Sequence, residues 1–242
     1  MESFAGAGGI RISWQAWLPD GEPRAIVAIA HGVSEYGGRY AHVAERLVRE
    51  RYAVYAPDHR GHGHSDGPRA LIDRIDNAVA DLDTLIVLAR SRHPNAGTFL
   101  LGHSMGGAIS LRYAMRHEDR LSGLILSGPV AALDAAPALM RIAARVLSQL
   151  TPRLPVLAVD ASLISRDPAV VKAYETDPLV HHGKLPARTI AELASAVESF
   201  PDGVGAITVP TLIMYGTADA LCPPAGSIML GERIGASDKT VI

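Results

Sequence analysis

Short apolar runs alternate with longer amphipathic stretches along most of this chain. The apolar runs indicate strands that are buried on both faces, and they fall at 25–30, 52–57, 98–101, 124–127 and 211–215. Apolar residues recur with helical spacing in segments that follow them, at 40–48, 75–92, 107–116 and 225–234. Strands that alternate with helices predict an α/β fold, with a mostly parallel central sheet flanked by helices.

The two ends of this pattern differ from its centre. Residues 10–17 alternate apolar and polar side chains and run into Pro19-Asp20-Gly21, so we expect an edge strand followed by a turn. Residues 239–242 look like the first residues of one more strand, and the sequence ends there. We therefore expect the last strand and the C-terminal helix of the fold to be missing, which would leave 211–215 as an exposed sheet edge.

The alternation of strands and helices lapses between about 130 and 185. One apolar stripe runs along this segment, formed by Leu139, Ile142, Ala143, Val146, Leu147 and Leu150, and Arg141, Arg145 and Gln149 lie opposite. Such a helix covers an apolar surface, which predicts an inserted helical cap, while an ordinary core helix is the alternative. The predicted division is a first part of the core at 1–129, a cap at 130–185 and the rest of the core at 186–242, which opens with a helix at 185–200.

Composition limits the kinds of molecule that this chain can bind. The chain has 242 residues and a net charge of -2, which suits one α/β domain with an insertion and gives no basic block that would attract nucleic acid. Cys222 is the only cysteine, so an internal disulfide is excluded. No signal peptide or transmembrane segment is expected from the sequence, so we expect a cytoplasmic protein or one peripherally associated with a membrane or the cell envelope.

A glycine-flanked serine lies where a strand meets a helix. Gly102-His103-Ser104-Met105-Gly106 follows the strand at 98–101 and precedes the helix at 107–116. The glycines allow a sharp turn that exposes the serine hydroxyl above the sheet, which predicts Ser104 as the nucleophile of an acyl transfer. The neighbouring His103 is expected to point away from the reacting face and to be structural.

Two further segments end at the same edge of the predicted sheet. His31-Gly32-Val33 follows the strand at 25–30, and Gly32 would let the backbone turn and present the N–H of Val33 near Ser104. Asp219 follows the strand at 211–215, where this fold keeps the carboxylate that orients its histidine. A helix cap or a turn is the alternative role for Asp219.

The histidine that this arrangement requires is absent after Asp219. Serine needs an adjacent imidazole to take its proton, yet His182 is the last histidine of the chain. A substitute role for His181 or His182 is the alternative, although both belong to the predicted insertion. We therefore expect either the truncated sequence of a working enzyme or a chain that binds its substrate and barely hydrolyses it.

A second motif favours different chemistry. His62-Gly63-His64-Ser65-Asp66 matches the H-x-H-x-D core of metallo-β-lactamase-type zinc hydrolases, whose imidazoles and carboxylate suit zinc. The histidine that should follow Asp66 is replaced by Gly67. A rigid loop tied by hydrogen bonds is therefore the preferred interpretation, and we expect no metal and no other cofactor.

Four blocks in this order resemble the monoacylglycerol lipases of the α/β-hydrolase superfamily, and the segment from Ser165 to Gly183 resembles mycobacterial members. The blocks are His31-Gly32-Val33-Ser34-Glu35-Tyr36-Gly37-Gly38-Arg39-Tyr40, Asp58-His59-Arg60-Gly61-His62-Gly63, Gly102-His103-Ser104-Met105-Gly106-Gly107 and Gly216-Thr217-Ala218-Asp219. The resemblance implies a lipid substrate with one fatty acyl chain on glycerol, bound in a tunnel under the cap. Another carboxylesterase or lysophospholipase of the same fold, and a non-catalytic lipid-binding chain, are the alternatives.

The resemblance also assigns roles to residues. It implies Ser104 as nucleophile, Asp219 as acid, and the backbone N–H groups of Val33 and Met105 as the oxyanion hole. It implies binding roles for His31, Gly32, Glu35 and Cys222, with Cys222 as a site for thiol-reactive inhibitors. Tyr36 stands where the relatives have a histidine, which leaves the contacts to the glycerol end open. Peripheral membrane contact through the cap and homodimerisation are two further expectations.

Overall fold

The computed structural model describes residues 1–132 and 145–242, and an eight-stranded sheet forms their centre. Its strands are β1 (Glu2–Ala5), β2 (Arg11–Trp17), β3 (Ala25–Ala30), β4 (Tyr52–Pro57), β5 (Gly97–His103), β6 (Gly123–Ser127), β9 (Thr211–Met214) and β10 (Lys239–Val241). They lie in the order β1-β2-β4-β3-β5-β6-β9-β10, and all pairs from β4 to β10 are parallel. The predicted α/β fold is confirmed.

Helices cover both faces of this sheet. They are α1 (Ala41–Arg49), α2 (Ile75–Arg92), α3 (Met105–His117), α4 (Pro168–Thr176), α5 (Ala187–Gly203) and α6 (Pro224–Arg233). Side chains of β3 alternate between the faces: Ala28 and Ala30 join the apolar cluster of α2 and α3, whereas Val27 and Ile29 join that of α1. All six residues of β3 are buried, as its continuous apolar sequence predicts.

The register of the central strands brings their carboxyl ends to one edge. Ala30 at the end of β3 lies opposite Gly102 of β5, and His103 lies opposite Ser127 at the end of β6. The loops that follow these three strands therefore emerge side by side.

The structure corrects both predictions about the edges of the sheet. β2 is not an edge strand, because β1 pairs with it in antiparallel orientation and places Phe4 opposite Ile12. β9 is not an exposed edge either, because β10 pairs with it in parallel and places Lys239 opposite Thr211. The strand residues predicted at 239–242 are confirmed as β10, whereas β1 was not predicted because its four residues are too few to show a clear period of two.

The segment between β6 and β9 contributes no strand to the central sheet within the described residues. Its own strands, β7 (Pro155–Leu157) and β8 (Leu185–Pro186), form a separate antiparallel pair, and residues 145–150 are helical. The predicted apolar stripe falls partly on Leu139, Ile142 and Ala143, which lie outside the described residues. Its remaining members are exposed, with 52% for Val146, 41% for Leu147 and 77% for Leu150. Within the described residues, no helix combines the length and the apolar character needed to cross a bilayer.

A buried ion pair fastens the loop after β4 to α2. The Arg60 guanidinium donates to Asp81 at 2.8 Å and to Asp73 at 2.9 Å, and Arg60 and Asp81 are each only 2% exposed at the side chain. Asp81 also accepts the backbone N–H of Ala7 at 2.7 Å, which fixes the N-terminal segment. Burial raises the pKa of the Asp81 carboxyl despite the adjacent guanidinium.

Removing one member of this pair will cost far more than removing an exposed pair. Arg60→Met leaves the Asp81 carboxylate buried without its cation, and we expect a loss of about 3–5 kcal/mol in the free energy of unfolding. Arg60→Met with Asp81→Leu should regain part of that loss, because no charge is then left buried. Urea denaturation followed by circular dichroism measures both. The control is Arg46→Met, which removes an exposed pair with Glu50 and should cost about 0.5 kcal/mol or less. Equal losses for Arg60→Met and Arg46→Met would contradict the argument.

Candidate active site

Ser104 occupies a strained turn between β5 and α3. Its φ is 52° and its ψ is -117°, a left-handed conformation that non-glycine residues rarely adopt. Surrounding hydrogen bonds hold it there: its N–H donates to the Ser127 carbonyl at 3.2 Å, and its carbonyl accepts from Val130 at 3.0 Å. Strain that is held in this way is a frequent feature of functional sites. The predicted strand, sharp turn and helix are all present.

Two glycines, Gly106 in α3 and Gly32 in the loop after β3, permit close backbone contact around Ser104. A Cβ at Gly106 would overlap the carbonyl oxygen of Ala30, so α3 approaches the end of β3 directly. A Cβ at Gly32 would lie 3.3 Å from the Cβ of Ser104. The loop after β3 and the serine turn are therefore in contact, as their predicted positions at one sheet edge require.

Glu35 holds the loop after β3 in place. Its Oε1 accepts the Gly32 N–H at 2.7 Å and the Tyr40 hydroxyl at 2.7 Å, and its Oε2 accepts Nε of Arg39 at 3.2 Å. Burial and the Glu35 carboxylate raise the pKa of Tyr40 well above its usual value, so its hydroxyl remains a donor. Glu35 thus acts on the backbone just before Val33.

Two backbone donors belong to the segments that meet at Ser104, the loop after β3 and the start of α3. Met105 is the first residue of α3, where N–H groups have no acceptor within the helix. Within the described residues, the N–H groups of Val33 and Met105 donate to no protein acceptor. They are therefore free to bind an anionic oxygen, and the positive end of the α3 dipole favours the same charge.

The buried His31 side chain links two loops, those after β3 and β4, by hydrogen bonds. Its Nε2 accepts the N–H of His59 at 2.8 Å, which leaves the proton on Nδ1 to be donated to the Gly32 carbonyl at 2.7 Å. Burial lowers the pKa of His31 well below its usual value, so the ring is neutral. The structure places this predicted binding residue behind the loop, where it positions Gly32.

Asp219 and Cys222 close the other side of the site. Asp219 Oδ1 accepts the N–H groups of Leu221 at 2.9 Å and Cys222 at 2.8 Å, which is the turn role that the sequence left open. Its Oδ2 lies 3.3 Å from the position that a Cβ on Gly128 would occupy, at the end of β6. The turn brings Cys222 Sγ within 3.5 Å of Ser104 Oγ. Burial raises the pKa of the Cys222 thiol, which keeps it protonated.

All ten histidines of the sequence lie in the described residues, and none of these imidazoles hydrogen-bonds to Ser104 or Asp219 there. His103 Nδ1 bonds to the Ser127 carbonyl at 2.8 Å. The rings of His181 and His182 bond to the carbonyls of Lys184 and Asp177. The general base expected beside the serine is therefore not supplied by these side chains in this conformation.

The H-x-H-x-D segment forms a hydrogen-bonded loop. His62 is buried and its Nδ1 bonds to the Arg60 carbonyl at 2.9 Å, His64 is exposed, and Asp66 pairs with Arg11 at 2.7 Å. Throughout residues 1–132 and 145–242, no three His, Cys, Asp or Glu side chains are placed to share a metal ion.

Three buried histidines, His31, His59 and His62, form a cluster behind the loop after β3. The ring of His31 lies 4.3 Å from that of His59 and 5.4 Å from that of His62, measured between centroids. Burial lowers the pKa of His59 to about 3 and that of His62 to about 4. The sequence shows His31 in one block and His59 and His62 in another, and only the folded sheet brings the two blocks together.

Comparison with known proteins agrees with this geometry. The family model described as serine aminopeptidase, S33 (Hydrolase_4), matches residues 21–242. A monoacylglycerol lipase of Mycolicibacterium smegmatis is 45% identical over 98% of this chain and 85% of its own length. The human monoglyceride lipase is 33% identical over 100% of this chain and 80% of its own. The crystal structure of Paleococcus ferrophilus monoacylglycerol lipase superposes with a TM-score of 0.86 and 33% identity, covering 96% of this chain and 87% of that one.

The histidine cluster should make the free energy of unfolding fall in acid. Between pH 6.5 and pH 4 the unfolded chain binds protons that the buried rings exclude, so the free energy of unfolding falls as the pH falls. Each such ring contributes a slope of about 1.4 kcal/mol per pH unit in that range. We expect His62→Asn, which retains a donor near the Arg60 carbonyl, to show a slope shallower by about this amount in urea denaturation at pH 4.5 to 7.5. The exposed His42 provides the control, His42→Asn, which should follow the unsubstituted protein. An unchanged slope in His62→Asn would refute this account.

Proposed function

This chain belongs to the monoacylglycerol lipases of the α/β-hydrolase superfamily, and we propose that Ser104 is the nucleophile with which it cleaves a monoacylglycerol into glycerol and a fatty acid. The observation that carries the proposal is the strained turn of Ser104, which contacts Gly32 and precedes Met105. Within the described residues, the backbone N–H groups of Val33 and Met105 donate to no protein acceptor. A serine hydroxyl and an oxyanion site are the two elements that acyl transfer from an ester requires. The relatives supply the substrate class.

The proposed reaction passes through an acyl-enzyme. Ser104 Oγ attacks the ester carbonyl, its proton passes to a base, and the N–H groups of Val33 and Met105 stabilise the oxyanion. Glycerol leaves with that proton, and water then releases the fatty acid by the same steps. Asp219 Oδ2 is the oxygen that would orient an imidazole, since Oδ1 is engaged in its own turn.

The supply of the base decides between turnover and binding. Without a base, a serine triad loses about a millionfold in turnover and retains what the oxyanion hole and substrate binding provide. A lipid-binding chain with little hydrolysis is therefore the second candidate function, because no histidine bonds to Ser104 within the described residues.

Hydrolysis of a monoacylglycerol by the 242-residue chain tests the proposal. We expect slow release of fatty acid that free imidazole accelerates, because an added base can take the proton of Ser104. Ser104→Ala should abolish both the basal release and its acceleration. Fatty-acid release is measured with a series of acyl-chain lengths and with lysophospholipid, which separates a monoacylglycerol lipase from other esterases. Ser104 would be excluded as the nucleophile if imidazole accelerated fatty-acid release equally in Ser104→Ala. The same would follow if Cys222→Ala abolished the release while Ser104→Ala did not.

We further propose that the cap segment contacts a membrane surface, where monoacylglycerols reside, and that the protein is peripherally associated. Exposed apolar side chains gather in this segment: Val146, Leu147, Leu150, Leu154, Val156, Leu157, Leu163 and Val170. Exposed apolar surface of this kind marks a contact with lipid or protein. A homodimer through the same surface is the competing explanation.

Vesicle co-sedimentation distinguishes these two explanations. Leu150→Asp places a charge among the exposed apolar residues, and we expect it to weaken binding to phospholipid vesicles about thirtyfold, since a buried leucine contributes roughly 2 kcal/mol. Leu18→Asp is the control, because Leu18 is a comparably exposed residue in the turn after β2. Sedimentation velocity of the same proteins reports the oligomeric state. If the protein does not bind vesicles and forms a dimer that Leu150→Asp dissociates, the exposed apolar surface is a dimer interface and the membrane proposal is wrong.

A further inference from the structure

A segment between α4 and β8 is tied to the loop that carries Val33. This cap turn, residues 177–182, follows α4 directly. Three contacts join α4 and the cap turn to that loop: Tyr36 OH to Asp177 Oδ2 at 2.9 Å, the His181 N–H to the Ser34 carbonyl at 2.8 Å, and the Arg39 guanidinium over the Tyr174 ring at 5.0 Å from its centroid. Two of the contacting loop residues, Ser34 and Tyr36, lie within three positions of Val33.

The loop needs these contacts because its backbone is strained. Ser34 has a φ of 70°, which a non-glycine residue adopts only when its surroundings enforce it. Glu35 fixes the loop from the core side through Gly32, as described above. On the other side, the Ser34 carbonyl is held by the N–H of His181. The two peptides between these points, Gly32–Val33 with the Val33 N–H and Val33–Ser34, therefore lie between a contact to Glu35 and a contact to the cap turn.

The bond from Tyr36 to Asp177 is the charge-assisted member of this set. Asp177 also organises the cap turn itself, since its Oδ1 accepts the Leu179 N–H at 2.9 Å and its carbonyl bonds to His182 Nε2 at 3.0 Å. Burial and the Asp177 carboxylate raise the pKa of Tyr36 to about 12. The hydroxyl therefore stays protonated, and the bond persists throughout the neutral range.

We infer that Tyr36 is a positioning residue: its hydrogen bond to Asp177 seats the cap turn on the loop and thereby holds the Val33 N–H where the oxyanion forms. If the bond is lost, the cap turn loosens and the Ser34 carbonyl loses the N–H of His181. The strained Ser34 can then relax, which rotates the Val33–Ser34 peptide and, through Val33, the Gly32–Val33 peptide that carries the Val33 N–H. The oxyanion role of Val33 rests on the proposed function, whereas the coupling between the two segments does not.

Hydrogen exchange measured by mass spectrometry tests the coupling without any turnover. Tyr36→Phe removes one hydroxyl and keeps the ring, and we expect amide exchange to rise about tenfold in two places, the cap turn and residues 32–36, as for loss of a hydrogen bond to a charged group. Tyr55→Phe is the matched control, because it removes a hydroxyl bond of 2.9 Å to His93 elsewhere in the sheet. Faster exchange in the cap turn alone, no change in either segment, or the same change in Tyr55→Phe would overturn the inference.

Ester hydrolysis tests the consequence for the oxyanion hole. We expect Tyr36→Phe and Asp177→Ala to lower kcat three- to tenfold with KM changed less than twofold, because the loss concerns a donor used in the transition state. Asp177→Asn retains an acceptor for the hydroxyl and should recover most of the rate. An effect on KM alone would overturn the positioning role. Failure of the unsubstituted protein to hydrolyse esters would count against the proposed function, while hydrogen exchange would still decide whether the two segments are coupled.

Discussion

Backbone contact between α3 and the end of β3 is the constraint on which the site depends. It is possible only because Gly106 has no side chain, since a Cβ there would overlap the Ala30 carbonyl. This contact brings the serine turn against Gly32 and the loop that carries Val33. A larger residue at Gly106 would push the serine turn away from the end of β3 and from that loop.

The charged side chains of the loop after β3 are paired. Glu35 would repel a developing oxyanion if it stood alone, but its carboxylate accepts three hydrogen bonds, one of them from the Arg39 guanidinium. His31 is held neutral by burial and by its two hydrogen bonds. The loop is therefore fixed by a carboxylate that is paired with a guanidinium and by an imidazole that is neutral.

Local sequence signals predicted the parts of the site that are themselves local. The serine turn is encoded within five residues, and the buried strands by their continuous apolar composition. The edges of the sheet were predicted wrongly in two respects. The sequence did not predict β1, a short strand that pairs with β2, and it predicted strand residues at 239–242 without predicting that they cover β9. Three other features of the site depend on contacts between residues 28 to 141 positions apart. They are the histidine cluster, the approach of Cys222 to Ser104 and the bond from Tyr36 to Asp177. No periodicity can report such contacts, since tertiary packing alone decides them.

The alternation of β3 between two clusters has a consequence for how such a protein can diverge. Ala28 and Ala30 face one set of helices, and Val27 and Ile29 face the other. Loss or gain of a single residue within this strand would exchange the two faces together and shift Gly32 away from the serine turn. Changes in chain length are therefore tolerable only outside the central strands. Evolutionary novelty in substrate choice is thus confined to the loops and the inserted segment, while the strand lengths that align the reacting groups must stay constant.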